Sequence, residues 1–234
     1  MKGPTNKVTA AGLLIALGII FGDIGTSPLY VFNAIIGDRE INELLIVGTL
    51  SCIIWTLTLQ TTIKYVILIL KADNRGEGGT FALYALVRRR RKWLVIPAML
   101  GGAALLADGM ITPPISITSA IEGLSKLPYL KETLTTNTIM VIVLIILALF
   151  FFMQQFGTSS IGKFFGPLVF IWFTLLLVLG LAHVFDDLTI FKALSPYYAI
   201  EFLSTYKEGF WLLGAVFLCT TGAEALYSDL GHCG

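Results

Sequence analysis

The chain has 234 residues, 56% hydrophobic and only 13% charged, with a mean hydropathy of +0.84 and a formal net charge of +1. So few charges cannot clothe a soluble domain of this size, and so small a net charge excludes a global attraction to nucleic acid. Repeated apolar runs long enough to cross a bilayer, about 20 residues each, predict an all-α integral membrane protein, and the short alternating segments of a β-barrel are not found.

Taken in chain order, apolar segments run over about 9–36, 43–71, 94–124, 136–155, 163–185 and 209–230. The first is punctured by GDIGTSP, where Gly22, Asp23, Gly25 and Pro28 fall within seven positions. Pro28 lacks an amide donor and crowds the carbonyl of Ile24, so the helix is expected to open here and release carbonyls. A simple proline kink is the competing reading. The second segment ends in a loop holding GEGGT at 76–80, which lacks the GxxxxGK[ST] phosphate-binding pattern and reads as a hinge or re-entrant turn. FALYALV after it suits a short helix along the interface. Asp108, Gly109, Pro113 and Pro114 interrupt the third segment, and TTGAEAL at 220–226 punctures the sixth. The fourth and fifth read as ordinary spans. No signal-peptide cleavage site follows the first run, so that run is expected to stay as a span.

Lys and Arg fix the orientation. Lys2, Lys7, Lys71, Arg75, Arg88, Arg89, Arg90, Arg91, Lys92 and Lys163 fall on one side, ten in all, against five on the other: Arg39, Lys126, Lys131, Lys192 and Lys207. The N-terminus is therefore expected to be cytoplasmic, and RRRRK reads as a positive-inside anchor rather than a nucleic-acid surface. Cys52, Cys219 and Cys233 have no CxxC spacing and read as small apolar residues. His183 and His232 form no HExxH pattern that would suggest a zinc site.

The acidic residues inside the spans carry the functional signal. An Asp facing lipid costs about 2.5–3.5 kcal/mol even on a lenient scale, so Asp23, Asp108 and Glu224 are expected to face protein or a water-filled cavity. Glu122 and Asp229 can sit near a membrane surface. Asp108, Thr112 and Ser116 recur every four residues and share one helix face, as do Thr220 and Glu224. Thr26, Ser27 and Tyr30 surround Asp23, and Thr221 lies beside Thr220. These hydroxyls can bond back to their own helix carbonyls. A face with a carboxylate and two hydroxyls is nevertheless a poor lipid contact and a good wall for a dehydrated monovalent cation.

GDIGTSPLYVF at 22–32, GEGGTFALYAL at 76–86, ADGMITPPISITSAIEGL at 107–124 and GAEALYSDLGH at 222–232 together resemble the KUP (HAK/KT) potassium uptake family, in order and over essentially the whole chain. That resemblance implies a potassium importer driven by proton symport in the inner or plasma membrane, with no cofactor and no enzymatic activity. It implies a LeuT-like (APC superfamily) architecture, of which this chain would supply the first five-helix repeat and a discontinuous sixth helix. The second repeat and a C-terminal cytosolic domain would be absent, making the chain the N-terminal, truncated part of the transporter domain. Carried over, Asp23, Tyr30, Asp108, Thr112, Ser116 and Thr221 match potassium-site positions, Glu224 matches a proton-coupling position, and Glu122, which also lies in a family motif, is expected to share in proton coupling. The implied partners are potassium, protons and the lipid bilayer, with a homodimer open as an assembly and no nucleic acid. Three alternatives stand beside this reading. A non-transporting fragment is one. A related cation or amino-acid symporter is another, although Asp23 would repel a substrate carboxylate. An intramembrane acid-pair enzyme would leave the hydroxyl-lined faces unexplained.

Overall fold

A computed structural model describes residues 9–37, 39–69, 72, 74, 78–88, 90–155 and 158–228. Lys2, Lys7, Lys71, Arg75, Gly76, Glu77, Arg89, Asp229, His232 and Cys233 lie outside the described residues, as does the side chain of Lys163.

Every helix or strand element among the described residues is a helix, and four are long and apolar enough to cross a membrane: Glu43–Leu68, Lys92–Ser125, Thr136–Met153 and Phe165–His183. The first apolar segment is divided into α1 (Ala10–Thr26) and α2 (Pro28–Ile36). Next comes α3 (Glu43–Thr56), capped by Asn42, whose side chain accepts the Leu45 amide at 2.7 Å, and continued as a wider π-helical coil over Leu57–Leu68. A short α4 (Gly79–Arg88) precedes α5 (Val95–Ser125), α6 (Thr136–Gln154) and α7 (Thr158–His183). After a 3₁₀ turn at Leu188–Leu194 come α8 (Pro196–Thr205), α9 (Gly209–Phe217), a second 3₁₀ turn at Leu218–Thr220 and α10 (Ala223–Ser228).

The break in the first segment is narrower than expected. Ser27 keeps helical dihedrals (φ −53°, ψ −38°), and Pro28 takes the first position of α2, where its missing amide costs nothing. The Ser27 amide reaches the Ile24 carbonyl at 3.3 Å, and the Asp23 carbonyl accepts the hydroxyls of Thr26 (2.8 Å) and Ser27 (3.4 Å). The Gly25 carbonyl accepts the indole N–H of Trp172 at 2.8 Å. This is the kink rather than the opened stretch. The Ile24 carbonyl that Pro28 would release is held by the Ser27 amide, and those of Asp23 and Gly25 by side chains, which removes the penalty of unpaired backbone in lipid.

The glycines serve packing. Gly18 meets the backbone of Gly166, and Gly166 meets the Leu14 carbonyl, so neither position has room for a Cβ. A Cβ on Gly25 would lie 3.1 Å from the Phe173 ring. Small residues let two helix backbones approach closely, and α1 therefore lies tightly along α7. The third segment also departs from expectation: α5 runs unbroken through Pro113 and Pro114.

A second packed unit forms around α3 and α8. Gly48 abuts Phe202, the buried Ser51 hydroxyl donates to the Ser195 carbonyl at 2.8 Å, and Lys192 pairs with Glu43 at 2.7 Å. The core joins Tyr30, Val31 and Ile35 of α2 to Leu45 and Cys52 of α3, Phe202 of α8, and Leu212, Val216 and Cys219 of the sixth segment. Cys52 and Cys219 are buried free thiols, and His183 sits at the surface beside Asp186. By contrast, α6 and α7 turn large apolar side chains outward, including Leu144, Phe152 and Leu168, as lipid-facing helices do.

Candidate ion-binding site

The sixth segment supplies the real backbone break. Thr221 leaves the helix with ψ 131°, and Gly222 turns it with φ +88°, a conformation that favours glycine. The turn presses against the kink of the first segment: a Cβ on Gly222 would lie 2.6 Å from the Asp23 Cβ and 3.1 Å from the Ile24 amide nitrogen. Two interruptions, far apart in sequence, thus meet at Asp23.

Oxygen atoms gather around this meeting point. On α5, the Thr112 hydroxyl donates to Asp108 Oδ1 at 3.1 Å, and Thr112 is buried. One turn further, the Ser116 hydroxyl lies 3.4 Å from that of Thr26. On α2, the hydroxyl of the buried Tyr30 lies 3.3 Å from Ser27 Oγ. Asp23 lies within electrostatic reach of Asp108, and Asp108 and Glu224 line one cleft. Asp108 is therefore the hub, with Asp23 on one side and Glu224 on the other. Among the described residues no three His, Cys, Asp or Glu side chains converge into a metal-type cluster. The oxygens come instead from a mixture of carboxylates and hydroxyls, the donor type that suits a weakly coordinated monovalent cation.

Asp108, Thr220, Thr221 and Glu224 open onto a cleft of about 450 Å³, whose walls include Tyr65 and Thr80. Glu122 lies apart. It is exposed on α5, 14 residues beyond Asp108, which places it about 21 Å along the helix.

Sequence reasoning did not single out Trp172, Tyr65 or Thr80. Trp172 sits in what reads as an ordinary apolar span, with only its indole nitrogen as a signal. Thr80 closes the GEGGT motif, and Gly78 of that motif fits against the Tyr227 carbonyl with no room for a Cβ. Gly78 thus packs against α10, and the Tyr227 hydroxyl donates to the Ala72 carbonyl.

The profile of the family described as "K+ potassium transporter integral membrane domain" matches residues 10–234. The chain belongs to this potassium transporter family. It is 62% identical to the "Probable potassium transport system protein Kup" of Cytophaga hutchinsonii, over 98% of this chain and 35% of that protein. Proteins of the same description from Flavobacterium johnsoniae and Clostridium perfringens are each 57% identical over 100% of this chain, covering 35% and 36% of their own lengths. The chain thus spans about a third of the length of the curated relatives it matches. No solved structure matches it. Family membership and the apolar helices together make it a membrane protein.

Proposed function

We propose that this chain carries the cation site of a transporter that takes potassium into the cell by proton symport. The family match supports the ion, and the names of the relatives support potassium transport. The observation that carries the site is the packing of the Gly222 turn on Asp23, with the Thr112–Asp108 hydrogen bond and the cleft shared by Asp108 and Glu224 beside it.

Asp23 and Asp108 neutralise the ion. The hydroxyls of Tyr30, Thr112, Ser116 and Thr221 replace its water. Glu224 carries the proton: a proton held between Glu224 and Asp108 withdraws negative charge from the cation and favours its release. Glu122 is too far from this cluster to share in the step. The kinked first segment, the broken sixth and their meeting at Gly222 are consistent with a LeuT-like arrangement in which α1 and α2 move with α9 and α10. The charge asymmetry supports a cytoplasmic N-terminus in the inner or plasma membrane. We assign no homodimer contact.

The test is rubidium-86 uptake in a potassium-uptake-deficient bacterial strain carrying this protein's gene read to its stop codon. Asp23→Asn should abolish uptake at unchanged membrane abundance. Undiminished uptake would remove Asp23 from the site.

A further inference from the structure

The turn between α4 and α5 collects cations that nothing else in the fold uses. The sequence has no Asp or Glu between Glu77 and Asp108, whereas Arg88, Arg89, Arg90, Arg91 and Lys92 follow one another. The ion pairs among the described residues are Arg39–Glu208, His183–Asp186 and Lys192–Glu43. Arg88, Arg90, Arg91 and Lys92 are all exposed and have no carboxylate partner among the described residues.

Two of these cations are placed differently from their neighbours. The Val87 carbonyl accepts the amides of both Arg90 (2.9 Å) and Arg91 (3.0 Å), which closes a tight turn at the end of α4. Arg91 is then extended (φ −143°, ψ 114°), and its carbonyl accepts the Leu94 amide at 3.1 Å. This path encloses a crevice of about 590 Å³, lined by Leu86, Val87, Arg90, Arg91 and Leu94. Arg88 and Lys92 carry the same charge but do not line it.

The crevice lies where a spanning helix begins. Lys92–Ser125 has 34 residues, so at 1.5 Å per residue it is longer than a hydrocarbon core of about 30 Å, and its ends reach the headgroups. Trp93, Ile96 and Met99 at this end are exposed, and α4 exposes Phe81, Leu83 and Leu86. Exposed apolar groups beside unpaired arginines match a surface that is hydrocarbon on one side and anionic on the other.

We propose that the crevice at Arg90 and Arg91 binds an anionic phospholipid of the phosphatidylglycerol class. The two guanidinium groups take the headgroup phosphate, whose oxygens match their forked N–H donors. Leu86, Val87 and Leu94 cover the glyceryl and first acyl carbons. The bound lipid joins α4 to the start of α5, the helix that carries Asp108, Thr112 and Ser116.

The experiment titrates the protein, expressed from its gene read to the stop codon and purified in a non-ionic detergent, with dioctanoyl phosphatidylglycerol or dioctanoyl phosphatidylcholine. Bound lipid is read by native mass spectrometry. The wild-type protein should bind a single phosphatidylglycerol about tenfold more tightly than phosphatidylcholine, the weight of a charged hydrogen bond. Arg90→Ala and Arg91→Ala should each remove that preference at an unchanged melting temperature, and Leu86→Gln should weaken both lipids. Arg88→Ala and Lys92→Ala should bind like the wild type. Equal losses in all four charge variants would mean a diffuse attraction of the basic run and would overturn the site. Wild-type affinity in Arg90→Ala and Arg91→Ala would overturn it as well. Displacement of the lipid by an equal concentration of glycerol 3-phosphate would assign the crevice to a soluble phosphate and overturn the lipid.

Discussion

Gly222→Ala is the sharpest single perturbation of the site's scaffold. Gly222 holds φ +88°, and a left-handed backbone costs an L-residue about 1–2 kcal/mol. The new methyl would stand 2.6 Å from the Asp23 Cβ, well inside the roughly 3.5–4.0 Å at which carbon atoms rest. Relieving that overlap means parting the kink from the turn, an overpacking cost of about 1–3 kcal/mol. The two together come to about 2–5 kcal/mol, which for a chain of this size lowers the melting temperature by roughly 5–15 °C. The same displacement draws Thr221 and Glu224 away from Asp23, so rubidium uptake should fall more than the loss of folded protein explains. The assay pairs a thermal melt in detergent with uptake at matched membrane abundance. Gly109→Ala is the control: a Cβ there meets nothing within 4 Å, so both readouts should stay near wild type. A Gly222→Ala protein that melts and transports like the wild type would refute this account of the turn.

Other outcomes follow from the same geometry. Trp172→Phe removes the donor to the Gly25 carbonyl and should cost about 1–3 kcal/mol, read as a lower melting temperature and faster amide exchange near the kink. Gly18→Ala forces a methyl against the Gly166 backbone and should cost about 1–3 kcal/mol in the same melt, whereas an unchanged melt would contradict the close crossing of α1 and α7. Arg39 pairs with Glu208 at 2.7 Å and donates to the Ile35 carbonyl at 2.8 Å. A double-mutant cycle of Arg39→Ala with Glu208→Ala should give a coupling below about 1 kcal/mol that fades at high salt, since both side chains are partly exposed.

What the sequence made legible follows from what is local. Runs of apolar residues and the four-residue spacing of Asp108, Thr112 and Ser116 are properties of one helix, and Thr112 does bond to Asp108 on a shared face. Gly22, Gly25 and Pro28 are visible as helix breakers, but in the structure Gly25 makes room for Phe173 of α7, Gly22 stays helical, and Pro28 alone makes the kink. Their propensity says that a helix is weak there. The partner helix decides whether it opens. The same holds for Pro113 and Pro114, which α5 carries without breaking. Gly222 stood in a visible small-residue stretch, yet its contact with Asp23 spans about two hundred residues and leaves no periodic trace. Tyr65 and Thr80 were hidden for that reason too: a cleft wall is assembled from segments whose spacing in the chain carries no signal.

The central claim is that a potassium-sized cation sits among Asp23, Tyr30, Asp108 and Thr221. Thallium(I) matches potassium in charge and closely in size, and its anomalous scattering marks its position directly. Crystals of this protein grown with thallium should show a strong anomalous peak between Asp23 and Asp108, beside the hydroxyls of Tyr30, Thr112 and Thr221, and the peak should vanish in Asp108→Asn. A peak elsewhere, or one that persists in Asp108→Asn, would contradict the account.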